Sequence, residues 1–187
     1  MMRIPFGSLP SMSALFLDYV SGSGRVREFY PQQYSIDSVS AFARQRPLFD
    51  ARHREQLCAA LSGDPDSIKK LAAGAVAVIT GQQPGLFTGP NYTILKATTA
   101  IKLAKAIEAT GVAAVPVFWV AAEDHDYQEI ESASVLDRDS CLKHVQVDLS
   151  NPESSPVGWL TLRNDVSDAI AKCLSSLPES EWNAPSC

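Results

Sequence analysis

The apolar positions of this chain change period twice, and the changes mark out a strand–helix–strand unit. Residues 75–79, AVAVI, form a compact apolar run between Gly74 and Gly81, the pattern of a strand covered on both faces. Residues 91–109 switch to helical spacing. Ile94, Ala97, Ala100, Ile101, Leu103, Ala104 and Ile107 fill one broad arc, while Thr98, Thr99, Lys102 and Lys105 take most of the other side. Gly111 stops this helix. Residues 112–122 supply a second buried strand, with Pro116 near its beginning, where a missing N–H is tolerated. Strand, helix, strand of this length predicts a βαβ unit that crosses over right-handed and pairs in parallel.

Shorter elements flank the unit. Helices are predicted over residues 9–19, with Ser11 or Ser13 as cap, over 36–45, and over 51–61 beyond Pro47. Gly63, Asp64 and Pro65 end the last of these, and residues 67–73 add a turn or two. After the unit, residues 133–136 and 142–149 read as a hairpin around Asp137–Arg138–Asp139–Ser140, followed by a loop at 151–156, a strand at 157–162 and a helix at 166–174. The fold class expected is α/β, with a helical lead-in (residues 1–74) packed on a parallel βαβ core (75–187) that carries a hairpin extension. The polar ending SLPESEWNAPSC shows no closing element, so that core is expected to be incomplete.

Composition narrows the function classes. The chain has 187 residues, 45% hydrophobic and 20% charged, as a soluble globular domain would. A net charge of −5 with no Lys/Arg cluster argues against a nucleic-acid partner and leaves a small molecule as the expected counterpart. No signal-like stretch is present, nor the ~18 consecutive apolar residues of a membrane span. Cys58, Cys141, Cys173 and Cys187 form no CxxC pair, so no metal is predicted, and a reduced, cytoplasmic setting fits best.

Ligands of open parallel sheets bind beyond the carboxyl ends of the strands. Two polar signatures leave the predicted strands there: TGQQPGLFTGPNYTILK at 80–96, and EDHD after VFWVAA. In the first, Gly81, Gly85 and Gly89 permit turns and close backbone approach. Pro90 suits the first helical position with Thr88 as cap, and the helix N-terminus offers free N–H groups to a phosphate or carboxylate. Thr80, Gln82, Gln83, Asn91 and Tyr92 add neutral hydrogen-bonding groups, and Lys96 on the apolar arc can snorkel toward an anion. The plain alternative is a Gly-rich connection. Neither a Walker A sequence nor a dinucleotide fingerprint occurs.

In the second signature, Glu123, Asp124, His125 and Asp126 place three carboxylates and an imidazole on four successive positions. Such a cluster binds a cation, an amine or a hydroxylated ligand, or else is a solvated strand end. His125 is suited to proton exchange near neutral pH. Alternating directions along an extended chain keep all four from one atom, so a metal-dependent hydrolase built on this run is the weaker alternative.

The wording of the two signatures, with one helix between them, resembles the bacillithiol biosynthesis cysteine-adding enzymes. Fainter echoes are Asp18–Tyr19, Phe29–Tyr30 and Ile130–Glu131. Members of that family are longer, and the chain resembles their N-terminal part, without most of the inserted helices, the rest of the Rossmann-like core and the dimerising C-terminal coiled coil. The resemblance implies a Rossmann-like parallel sheet and a ligase that joins cysteine by an amide bond to glucosaminyl-malate, completing a low-molecular-weight thiol. It also implies, by analogy with class I aminoacyl-tRNA synthetases, ATP as cosubstrate, although residues 85–90 contain no His and the synthetase motif is not reproduced.

In that frame Asp124 and His125 are the catalytic candidates, His125 deprotonating the attacking amine. Glu123, Asp124 and Asp126 hold the cysteine ammonium or sugar hydroxyls. Thr80, Gly81, Gln82, Gln83, Gly85, Thr88, Gly89, Asn91, Tyr92 and Lys96 surround an anionic group. A non-catalytic, ligand-binding remnant is the other reading left open.

Overall fold

The first four helices each open on a side chain that takes up a backbone N–H left without a helical partner. Ser13 accepts from Phe16 at the start of α1 (Ala14–Ser21), and Ser35 from Ser38 at α2 (Ile36–Gln45). Asp50 accepts from His53 at α3 (Ala51–Ala59), and Asp64 from Ser67 at α4 (Pro65–Ala72). These are the residue types that serve best as N-caps, each contributing about 1 kcal/mol. A computed structural model of the chain describes residues 4–30, 35–149 and 155–178.

Two sequence expectations are corrected in this stretch. Ser11 has a left-handed φ of 66° and stands outside α1, which begins later than residue 9. Pro65 does not end a helix but begins one, because the first helical position has no N–H to lose and Asp64 caps it.

The chain divides into two compact units. The first comprises Met1–Val78 and Ala100–Val117. Its core gathers Ala43 of α2, Ala104 and Ile107 of α5 (Tyr92–Glu108), Val112, and Ala114 at the start of β2 (Ala114–Val120). Val39, Leu103, and Val76 and Val78 of β1 (Val76–Gln82) pack against them. Ile107 is only 1% exposed, and burying a side chain of that size stabilises by about 1.5–3 kcal/mol. Polar groups tie the elements around this core: the Arg46 guanidinium donates to the Ala43 and Gly74 carbonyls at 2.8 Å each, Arg44 to Thr110, and Lys70 pairs with Glu108 at 2.9 Å.

β1 and β2 are neighbours in one sheet. Val76 N–H donates to the Ala113 carbonyl, and six residues on, Ala121 N–H donates to the Gln82 carbonyl. Partner numbers rise together along both strands, so the pair is parallel, with α5 as the connection. Gly111, at φ 83°, ends the turn that follows α5.

The second unit comprises Ile79–Thr99 and Phe118–Cys187. Here the expectation of strands covered on both faces fails: Ile79 is 65% and Trp119 57% exposed, because among the described residues no element lies over them. The hairpin is present, with β3 (Ser132–Leu136) antiparallel to β4 (Leu142–Gln146) and Leu136 opposite Leu142. Its turn is held by Asp137, whose carboxylate accepts from the Cys141 and Asp139 amides and is thereby kept below the ordinary carboxyl pKa. A four-residue helix, α6 (Tyr127–Ile130), precedes it. Residues 157–159 form a 3-10 turn where a strand was expected, and α7 (Asn164–Ser176) follows. Arg138 donates to the Leu177 and Ser175 carbonyls, satisfying the end of α7. Residues 151–154 of the predicted loop and residues 179–187 of the polar ending, with Trp182 and Cys187, lie outside the described residues. No helix among the described residues is long and apolar enough to cross a membrane.

Candidate functional site

β1 runs three residues further than its apolar stretch, so Thr80, Gly81 and Gln82 sit on the strand rather than in the loop. Gly81 marks strand contact, not a turn: a Cβ there would stand 2.7 Å from the Trp119 carbonyl oxygen. Gln83 follows, 6% exposed, and neither atom of its side-chain amide has a hydrogen-bond partner of normal geometry. A buried amide without partners is costly unless a ligand or water completes it.

The loop then turns sharply. Phe87, Thr88 and Gly89 have left-handed φ of 52°, 73° and 76° in succession. A Cβ on Gly85 would lie 3.2 Å from the Gly89 Cα and 3.7 Å from the Ile130 Cα, so the loop doubles back beside α6. These geometries correct the helix start. Thr88 belongs to the 3-10 turn Leu86–Thr88 and caps nothing, and Pro90 precedes α5, its carbonyl accepting from Thr93 at 2.8 Å. Exposed Asn91 comes directly before the helix.

Lys96 reaches back from α5 to the strand. Its ammonium donates to the Gly81 carbonyl at 3.2 Å and to Gln82 Oε1 at 2.9 Å, and stands 4.7 Å from the Tyr92 ring centre. Gln82 Nε2 donates to Glu129 Oε1 at 2.7 Å, and the Tyr92 hydroxyl donates to the same oxygen at 3.0 Å. This bond to Glu129, then burial and the Glu129 charge, raise the Tyr92 pKa above its ordinary value. Glu129 was not among the residues expected at the site. The signal for it was Asp126-x-x-Glu129, a capping pattern: Asp126 accepts from the Glu129 N–H at 3.3 Å as the N-cap of α6.

Beyond β2 the acidic run leaves in a turn. Asp124 Oδ1 accepts from the His125 N–H at 2.6 Å and the Asp126 N–H at 3.3 Å. The His125 amide above all, with smaller help from the nearby Gln83 side chain and the Asp126 amide, holds the Asp124 carboxyl below the ordinary range. That puts Gln83 beside Asp124, near enough to favour its charged form without a well-formed bond. The turn is fastened from outside by Val157 N–H to the Asp124 carbonyl at 2.8 Å and Gly158 N–H to that of Ala122 at 2.7 Å.

The expected residues therefore fall into two groups. Gly81, Gln82, Tyr92 and Lys96 form one connected set with Glu129, and Gln83 stands with Asp124. The His125 ring is exposed and makes no hydrogen bond among the described residues. Glu123 points elsewhere, accepting from Trp119 Nε1 at 3.2 Å, and Asp126 is used as a cap. With the carboxylates so dispersed, no three His, Cys, Asp or Glu side chains among the described residues gather in a metal-binding group. Thr88, Gly89, Asn91 and Tyr92 line a cavity of about 680 Å³ shared with Glu129 and β3. A second, apolar cavity of about 380 Å³ lies between Pro84, Leu86, Ile130, Val147, Leu160 and Val166.

Comparison with known proteins identifies the family. Residues 2–186 match the family model described as bacillithiol biosynthesis BshC, N-terminal Rossmann-like domain. Relatives provisionally named cysteine ligase BshC include those of Heliobacterium modesticaldum, 35% identical over 89% of this chain, and Solibacter usitatus, 37% identical over 92%. A third, from Koribacter versatilis, is 29% identical over 95%. The match covers 34–35% of each relative's length, so the chain spans about a third of these proteins. The chain belongs to the bacillithiol biosynthesis BshC family, matching its N-terminal Rossmann-like domain.

Proposed function

We propose that this chain supplies the sheet-edge site of a ligase that joins cysteine, through a new amide bond, to the amine of glucosaminyl-malate, the last step of bacillithiol synthesis. The observation that carries the reading is the buried, unpartnered Gln83 amide beside Asp124, where two parallel strands end together. Asp124, held ionised by its neighbours' amides, takes the cysteine ammonium, and the Gln83 amide supplies the remaining hydrogen bonds to that substrate. An attacking amine must be neutral and must shed a proton as the C–N bond forms, while the cysteine carboxyl carbon gives up one oxygen to the group that activates it, a phosphate that ATP would supply. His125, with a free ring one residue from Asp124, accepts that proton. The loop 85–91 and the first N–H groups of α5 receive the malate carboxylates.

ATP fits these residues less well. Lys96 is the only Lys or Arg between Ile79 and Thr99, and it is engaged by Gly81, Gln82 and the Tyr92 ring. The nucleotide that would activate the cysteine carboxyl is therefore not assigned to these residues. A reducing, cytoplasmic setting belongs to the same proposal.

Ala at both Asp124 and His125, introduced into the protein that carries this chain, is expected to lower bacillithiol formation from cysteine and glucosaminyl-malate by about a hundredfold or more. The urea midpoint should stay put, since both side chains are exposed. Undiminished product would remove the pair from the mechanism.

A further inference from the structure

Glu129 has one oxygen fully engaged and one that is not. Oε1 accepts from both Gln82 Nε2 and the Tyr92 hydroxyl, whereas Oε2 makes no hydrogen bond among the described residues. The carboxylate is held from several sides. Lys96 binds Gln82 Oε1, which obliges the Gln82 NH2 to face Glu129, and Asp126 binds the Glu129 backbone N–H. Such preorganisation is typical of a binding group and costs little further ordering when a ligand arrives.

Glu129 lines the 680 Å³ cavity, a size within the range of small-molecule pockets. The other walls are chemically mixed. Phe87 and Tyr92 present aromatic rings, and Asn91 presents an amide. Ser132 contributes a half-buried hydroxyl with no hydrogen bond among the described residues. A carboxylate oxygen accepts only, so the ligand must donate to it. Lys96, linked to Glu129 through Gln82, already places a positive charge nearby and disfavours a second cation. Neutral hydroxyl donors beside apolar ring faces meet all these conditions.

We propose that this cavity is the subsite for a hydroxylated sugar ring, whose hydroxyls donate to Glu129 and bond to Ser132 and Asn91. The inference rests on the ligase reading, in which that ring is the glucosaminyl part of the acceptor. Glu129 is then a specificity-determining residue for it.

Glu129→Gln separates this role from a structural one. The glutamine oxygen still serves Gln82 and Tyr92, while the free oxygen becomes an NH2 that repels a donor. Calorimetry on the full chain would use glucosaminyl-malate, methyl glucoside and malate in turn. The variant should bind both sugars about tenfold or more weakly, the loss expected for a hydrogen bond to a charged group, with malate affinity not lowered and the urea midpoint little changed. Equal sugar affinity in the two proteins, an equal loss for malate, or no sugar binding by the unaltered chain each overturns the subsite. If Glu129→Gln does not fold, Ser132→Ala carries the same comparison with a smaller loss. Turnover separates the two readings: bacillithiol formation that is indifferent to Glu129 sinks the subsite alone, and glucoside binding that needs Glu129 without any ligation sinks the ligase alone.

Discussion

In the first unit the best-buried apolar side chains, Ala104 and Ile107, stand with Val112 and Ala114, and the charged groups Arg46, Lys70 and Glu108 are paired. The buried polar atom left without a partner there is, among the described residues, the single hydroxyl of Ser40. In the second unit Gln83 and Thr93 are buried about as deeply as Val112, yet their side-chain polar atoms have no partner. Two strands run from one environment to the other, Val76 and Val78 packing on the first core while Gln82 enters a polar network. The difference separates two uses of burial. In one it stabilises the fold, and in the other it leaves the Gln83 amide without protein hydrogen bonds, which the proposed substrate would supply.

The largest effect should come from the first unit. Ile107→Ala is expected to lose about 2–5 kcal/mol in urea denaturation, as large-to-small changes at closed core sites do. A loss below about 1 kcal/mol would show that this cluster is not the stabilising element. Next comes Gly81→Ala, where the added methyl meets the Trp119 carbonyl oxygen at 2.7 Å and the Trp119 Cβ at 3.0 Å. A loss of about 1–3 kcal/mol is expected, measured the same way, with the Trp119 fluorescence environment altered.

The smallest effect sharpens the polar side of the comparison. The fold favours the neutral Tyr92 phenol, so the stability it contributes is complete below the unfolded tyrosine pKa of about 10 and is lost as pH rises through the higher folded value. Phenolate absorbance, taken as the difference from Tyr92→Phe, should show a titration above that of free tyrosine. Glu129→Gln should move it back toward the ordinary value. A Tyr92 that titrates like free tyrosine in the unaltered chain would dissolve the network.

Local chemistry made much of this legible. α2 spans the predicted residues 36–45 because Ser35 caps it and its apolar spacing is helical. The hairpin was readable from Asp137–Arg138–Asp139–Ser140, where a short carboxylate closes the turn. What misled was glycine and proline read for one role when they served another. Gly81 allows strands to approach, Pro65 begins a helix, and the alternation VGWLTL at 157–162 suggests a strand although the Val157 and Gly158 amides bind carbonyls of the acidic turn. α6 is too short for periodicity to register, and Glu129 went unnoticed with it. Its partners Gln82 and Tyr92 lie 47 and 37 residues away in sequence, a separation no local pattern records.

Phe87 and Thr88 hold a backbone shape that glycine or asparagine adopts far more readily, at about 1–3 kcal/mol apiece. Random substitution at these two positions can therefore make the chain sturdier while loosening the rim that shapes its cavity. Gains in melting temperature and gains in affinity should part company at this bend, and a screen for one would select against the other.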